Sequence, residues 1–293
     1  MILIAESGST KCDWVLLDQK GREIDRWKTM GFNPYFHSSS KVEKVLRNTG
    51  GLNIWADKVS QTWFYGAGCS SPKLRDIIKS GLDLVFNNSD NHVGHDLEAA
   101  AFALYSGEPE IACILGTGSN SCYFDGTSVS EEVPSLAYIL GDEASASFIG
   151  KRLVADYFYL KMPTDLMADF KETFNPVKDE VIDRVYNKPN ANVYLASFGP
   201  FAGKHTEHAY IKEIVSDAVR KFIEVHVACF ANANEIPVNF VGSVAKAFED
   251  IISGELNKQG FKLGHVLAKP VNSLVRYHLD HMKVLDQTAK TNV

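Results

Sequence analysis

Two stretches of this chain repeat one design. AESGSTKCDW (residues 5–14) and LGTGSNSCYF (residues 115–124) each carry an apolar run into a turn of glycine, serine and threonine and out again along a second β-rich run. In the first, the run from Ile2 enters Ser7-Gly8-Ser9-Thr10 and leaves as Cys12 to Leu17. In the second, Ile111 to Leu115 enters Gly116-Thr117-Gly118-Ser119-Asn120 and leaves as Ser121 to Phe124. Each is followed by a further turn signal, Asp18 to Gly21 and Asp125-Gly126, so both halves begin strand, turn, strand, turn, the mark of an internal duplication. A hairpin tip of this composition offers backbone N–H groups with little side-chain bulk in the way, which suits an anionic oxygen such as a phosphate. One such tip is a weak signal; two, about a domain apart, can face one another across a cleft.

Between and after the hairpins the pattern alternates strand and helix. Glu23 to Trp27 adds a third antiparallel strand, and Ser38 to Ser40 caps a helix from Lys41 to Asn48. Gln61 to Tyr65 is a short strand, Pro72 opens a helix through Lys79, and Leu82 to Phe86 reads as another strand. Asp96 stands at the start of an alanine-rich helix, Leu97 to Tyr105, where an acid also has the plain role of favouring the positive end of the helix dipole. Glu108-Pro109 marks a boundary, giving domains 1–107 and 108–293, with the C-terminal helix able to return to the first. In the second half, Leu140 to Ser145 leads into a helix through Tyr159, with Glu143 supporting Asp142 or capping that helix. Polar helices follow to Lys188, then an amphipathic stretch from Thr206 to Ala233. Val238 to Val241 ends in Gly242-Ser243 before a helix from Val244 to Ser253, the strand–glycine–helix order of many nucleotide pockets. Phe261 to Val266 is a last strand, and Pro270 begins a last helix that ends near Leu285.

Composition narrows the function classes. The chain has 293 residues, 45% hydrophobic and 23% charged, enough for two domains with real cores. A formal net charge of −6 argues against nucleic acid as the main partner, which takes an excess of Lys and Arg. The beginning MILIAES has no basic leader, and no window approaches the ~20 apolar residues of a membrane span; the expected location is the cytoplasm, with no membrane partner. Five cysteines without a CxxC pair predict reduced, buried thiols rather than disulfides or zinc. His92 and His95 flank Asp96 without a third ligand of matching spacing, so they read as hydrogen-bonding histidines.

Taken together, AESGSTKCDW, LGTGSNSCYF, the HDLEAA acid between them, LGDEAS and the late FVGSVA resemble the sugar-kinase, actin and heat-shock ATPase superfamily, and within it the N-acetylglucosamine kinase branch of the BadF/BadG-type ATPase family. The resemblance implies two duplicated α/β domains of ribonuclease H-like (actin-like ATPase) fold around a central nucleotide cleft. It implies ATP and Mg2+ as cofactors, a small-molecule sugar substrate and a homodimer. By the same resemblance Ser7, Gly8, Ser9, Thr10 and Lys11 form the first phosphate loop and Gly116, Thr117 and Gly118 the second. Gly242, Ser243 and Ala202 would lie at the adenosine; Asn33, Ser119, Asn120 and Asp142 would hold the sugar; Asp96 would be the catalytic base; and Glu6 would hold Mg2+ through water. Two places depart from the family pattern. Glu6 stands where Asp is usual, and Pro134 to Tyr138 replace a glycine- and tryptophan-rich segment that contacts the N-acetyl sugar. Two other readings follow from the same loops: an ATPase activator of a 2-hydroxyacyl-CoA dehydratase or ring reductase, which needs cysteines framing a shared iron–sulfur cluster, and a non-catalytic sensor of ATP or sugar.

Overall fold

The computed structural model describes residues 1–291. The chain divides into two compact units, one of Met1–Tyr105 with Lys269–Val293, the other of Ser106–Ala268.

Unit 1 begins with β1 (Ile2–Ser7), β2 (Lys11–Leu17) and β3 (Glu23–Met30), a three-stranded antiparallel meander, and adds α1 (Ser39–Arg47), β4 (Gln61–Gly66), α2 (Pro72–Asp83), β5 (Asp90–His95) and α3 (Asp96–Leu104). Its sheet runs β3-β2-β1-β4-β5, with β4 and β5 parallel to β1. Strand alternation explains the two faces. Leu3, Ala5, Cys12, Trp14 and Leu16 point into a core with Phe32, Phe64 and Phe86, where Trp14 holds those three rings at centroid distances of 6.3, 5.8 and 6.4 Å. The opposite face carries Ile4 and Val15, both fully buried, and then two acids, Glu6 and Asp13, directly opposed across the β1–β2 ladder.

One expectation for unit 1 changes. Leu82 to Phe86 is no strand: α2 runs on to Asp83, and the N–H groups of Val85 and Phe86 turn back to the Leu82 carbonyl at 2.9 and 2.7 Å. The strand is instead Asp90–His95. It lies at the sheet edge, where polar residues are tolerated and the apolar signal fades.

Unit 2 repeats the plan with β6 (Glu110–Leu115), β7 (Ser119–Phe124) and β8 (Val129–Ser130). Six helices follow: α4 (Ala137–Leu140), α5 (Ala146–Phe158), α6 (Thr164–Phe174), α7 (Lys178–Tyr186), α8 (Ala191–Ala196) and α9 (Gly199–Lys204). The unit is completed by α10 (Ala209–His226), β9 (Pro237–Val241), α11 (Ser243–Ala247), α12 (Glu249–Lys258) and β10 (Lys262–Leu267). Its sheet order, β8-β7-β6-β9-β10, places a three-stranded meander beside two parallel strands, as in unit 1. The helix expected from Val244 to Ser253 is two, broken at Phe248, whose φ of −121° and ψ of 28° leave the helical range. The last helix, α13 (Val271–Thr291), belongs to unit 1, where it packs on α3 and buries Val271, Leu274 and His278.

Candidate functional site

In unit 1 three parallel strands end level. Ser7 on β1 pairs with Gly66 on β4, and Gly66 with His95 on β5. The residues that follow them, the tip Gly8 to Thr10, the turn Ala67-Gly68 and Asp96, therefore gather at one sheet edge, the carboxyl end where open α/β sheets bind ligands. The tip is held tightly. A Cβ on Gly31 would collide with the Gly8 carbonyl oxygen, so only glycine lets the chain after β3 lie against it. Ser7 is spent structurally: it is fully buried, and its Oγ accepts the Phe32 N–H at 2.8 Å. Thr10 and Lys11 are exposed. Asn33 comes to the same edge, with its Oδ1 accepting the Tyr35 N–H at 3.0 Å and lying where a Cβ on Gly68 would otherwise sit.

Asp96 is the first residue of α3, and His95 Nε2 lies 3.0 Å from its Oδ1. Its position satisfies the helix dipole, and its surroundings add something more. The Glu6 carboxyl is pushed up to about 7, first by burial, then by the charge of Asp96, then by that of Asp13, with Lys11 pulling the other way. Three acids thus share one patch that is short of positive charge. Asp13 was not singled out from sequence; an acid at the buried end of the otherwise apolar CDWVLL strand was the available signal. His95 pairs with Asp96, while His92 stacks on Trp63 at 4.1 Å and meets Asp90 at 2.9 Å.

The second tip, in unit 2, has its peptides oriented by α5. The N–H groups of Ala146 and Ser147, in the first turn of that helix, donate to the Gly116 and Thr117 carbonyls at 2.9 and 3.2 Å. In a trans peptide the following N–H points opposite to the carbonyl. The Thr117 and Gly118 N–H groups therefore face away from α5. Gly242 presses against the start of this tip: its φ is +129°, and a Cβ there would strike the Leu115 carbonyl oxygen. Gly242 and the exposed Ser243 are thereby brought beside Gly116. Ala202 is fully buried on α9 in the core of unit 2, and the next residue, Gly203, is exposed. Asp142 is almost buried and accepts the Ser119 N–H at 3.1 Å, with its carboxylate in the space a Gly118 side chain would need. Asn120 accepts its neighbour Ser121's N–H through Oδ1 at 2.9 Å and donates through Nδ2 to Glu131 at 3.3 Å.

Glu143 does not cap α5. Ser145 is the cap, its Oγ accepting the Phe148 N–H at 3.2 Å. Glu143 reaches instead to His226 on α10, Oε2 to Nε2 at 3.4 Å. Burial pushes His226 below its ordinary value, opposed by Glu143. Cys113 and Cys122 are fully buried in β6 and β7, and among the described residues no three His, Cys, Asp or Glu side chains are gathered to hold a metal ion by themselves.

Solved structures resemble this arrangement over nearly its whole length. A candidate N-acetylglucosamine kinase from Porphyromonas gingivalis is 35% identical, with 96% of this chain and 99% of that one covered and a TM-score of 0.89. The chain belongs to that candidate N-acetylglucosamine kinase's family. Two more distant structures share its fold, that of the actin-like ATPase sugar kinases. A candidate N-acetylglucosamine kinase from Chromobacterium violaceum is 14% identical over 94% of this chain and 98% of that one, with a TM-score of 0.74. A ROK-family glucokinase from Streptomyces griseus, in complex with glucose and AMPPNP, is 16% identical over 94% and 97%, with a TM-score of 0.55. No protein-family model matches the sequence, and no curated protein does. Among the described residues of this family member, no helix is long and apolar enough to cross a membrane.

Proposed function

We propose that this chain is an ATP-dependent kinase of the BadF/BadG branch that phosphorylates a hydroxyl of an N-acetylated amino sugar, with N-acetylglucosamine as the first candidate. The observation that carries the reading is the Asp96 carboxylate, held by His95 at the end of β5 and close enough to Glu6 to raise its pKa. Phosphoryl transfer is mostly positioning and charge stabilisation, and it needs N–H donors, a cation and one carboxylate for the attacking hydroxyl. Each tip, Gly8 to Lys11 in unit 1 and Gly116 to Gly118 in unit 2, has the glycine-bearing backbone that phosphate oxygens of ATP would require as donors. Asp96 accepts the proton of the sugar hydroxyl as that oxygen bonds to the γ-phosphorus and the bond to ADP breaks.

The acid patch suits a divalent cation. Glu6, with Asp13 beside it, would hold Mg2+ through water, and the ion would supply the positive charge that the β- and γ-phosphates require. Asn33, Asn120 and Asp142 are the groups taken to bind sugar hydroxyls and the acetamido group, since a buried polar site discriminates strongly against compounds lacking its partners. The same reading takes the protein to be a cytoplasmic homodimer, with Gly242 and Ser243 at the adenosine.

The test is ADP release with a panel of amino sugars and hexoses, for the wild type and for Asp96→Asn. Sugar-stimulated turnover is expected to fall by about 10²-fold or more in the variant, with the melting temperature little changed. Sugar-independent ATP hydrolysis that Asp96→Asn leaves intact would sink the kinase reading. ATP binding without stimulation by any sugar would favour a sensor.

A further inference from the structure

The turn that carries Asp142 is built against local preference. Asp142 and Ala144 have φ of +57° and +60°, a conformation that is unfavourable for a residue with a Cβ and persists only where the surroundings impose it. Part of the imposition is local: the Ser145 N–H donates to the Asp142 carbonyl at 3.1 Å, and Ser145 caps α5. The residue between the two left-handed positions is Glu143, and its carboxylate is drawn to His226, 83 residues further along the chain at the end of α10. His226 is itself clamped. Its ring stacks on Phe222 at 5.0 Å, and its carbonyl accepts the Ser121 hydroxyl at 2.6 Å.

This pair makes a poor stability device. Both side chains are largely buried, and Glu143 Oε2, His226 Nδ1 and the nearby Ser119 Oγ find no hydrogen-bond partner of good geometry among the described residues. A buried acid–base pair with unmet polar atoms commonly contributes less than apolar residues of the same volume. Glu143 sits between the two left-handed residues, so whatever holds its side chain bears on the turn that presents the Asp142 carboxylate to the Ser119 N–H and to the space left by Gly118.

We propose that His226 and Glu143 form a positioning brace that sets the Asp142 carboxylate and thereby the affinity for the sugar. This rests on the reading that Asp142 binds the sugar. In this proposal both residues act through the turn. Sequence spacing could not reveal the link, because α10 and the LGDEAS turn meet only in the folded unit.

The experiment compares wild type with His226→Leu, which fills the volume beside Phe222, and His226→Gln, which keeps an N–H donor. Readouts are KM for the sugar, KM for ATP, kcat and melting temperature. The expected result for His226→Leu is a sugar KM raised about ten- to a hundred-fold, with the ATP KM nearly unchanged and the melting temperature lowered by the unpaired Glu143 carboxylate, and substantial recovery of the sugar KM in His226→Gln. A sugar KM that stays put, or that moves in step with the ATP KM, overturns the brace. If no sugar is phosphorylated by the wild type, the kinase reading has failed, and the brace is decided by a crystal structure of His226→Leu. Loss of the Asp142–Ser119 contact supports it, and retention overturns it.

Discussion

Gly242 shows how narrowly single residues are constrained near the second tip. Two independent demands meet there: a φ of +129°, which L side chains rarely adopt, and the Leu115 carbonyl oxygen in the place of a Cβ. Gly242→Ala is therefore expected to destabilise the protein by about 1–3 kcal/mol and to weaken nucleotide binding, because the displaced backbone is the start of the tip. Urea melts and titration with an ATP analogue measure the two effects. Unchanged nucleotide affinity in a folded variant would separate Gly242 from the nucleotide site. Asp96 belongs to the same scale, since one carboxylate serves both as a favourable first-turn acid and as the proposed base. Its replacement by Asn keeps most of the shape while removing the charge, so turnover is expected to suffer far more than stability.

Elements carry their own liabilities, and β6 has a clear one. Glu110, its first residue, is fully buried; Oε2 accepts from Asn239 Nδ2 at 2.5 Å, while Oε1 finds no hydrogen-bond partner among the described residues. Burial pushes its carboxyl up to about 8, against an ordinary value of 4.5. The folded state thus holds a proton that the unfolded chain releases, and the sign follows from linkage. The contribution of Glu110 to stability is fully present below about pH 4.5 and is lost as pH rises towards 8. Glu110→Gln is expected to flatten that fall, so urea melts from pH 5 to 9 should converge at the acid end and favour the variant at the alkaline end. Parallel curves would show that Glu110 ionises freely in the fold. Asn239 also orders the edge, since its Oδ1 accepts the His265 N–H at 2.6 Å where β10 shifts register.

At the scale of the molecule, the chain leaves unit 1 after Tyr105 and comes back to it at Lys269. The returning helix α13 is part of that unit's core: Leu274 is fully buried, and His278 Nε2 lies 3.0 Å from the Tyr65 hydroxyl on β4. Truncation after Pro270 should therefore damage unit 1, although the cut lies far from it in sequence. Hydrogen exchange is expected to show lost protection in β1, β4 and α3 with the strands of unit 2 still protected. Retained protection in β1 and α3 would show that unit 1 folds without its last helix.

Much of this was legible before folding was considered. The paired glycine tips, the meander that opens each half and the place of Asp96 at a helix start all follow from local patterns of polarity and backbone freedom. Local pattern misled where tertiary position overrode it: Leu82 to Phe86 is apolar because it closes α2 over the core, and Asp90–His95 is a strand although polar because it is an edge. Other features had no local signature. The meeting of Glu6, Asp13 and Asp96, the burial of Ala202 and the reach of Glu143 to His226 depend on strand register and helix packing, which join residues far apart in the chain. The sequence by itself determined which groups could do chemistry; tertiary structure decided which of them share a dielectric and a charge environment, because those couplings fall off within a few ångströms and only folding sets such distances.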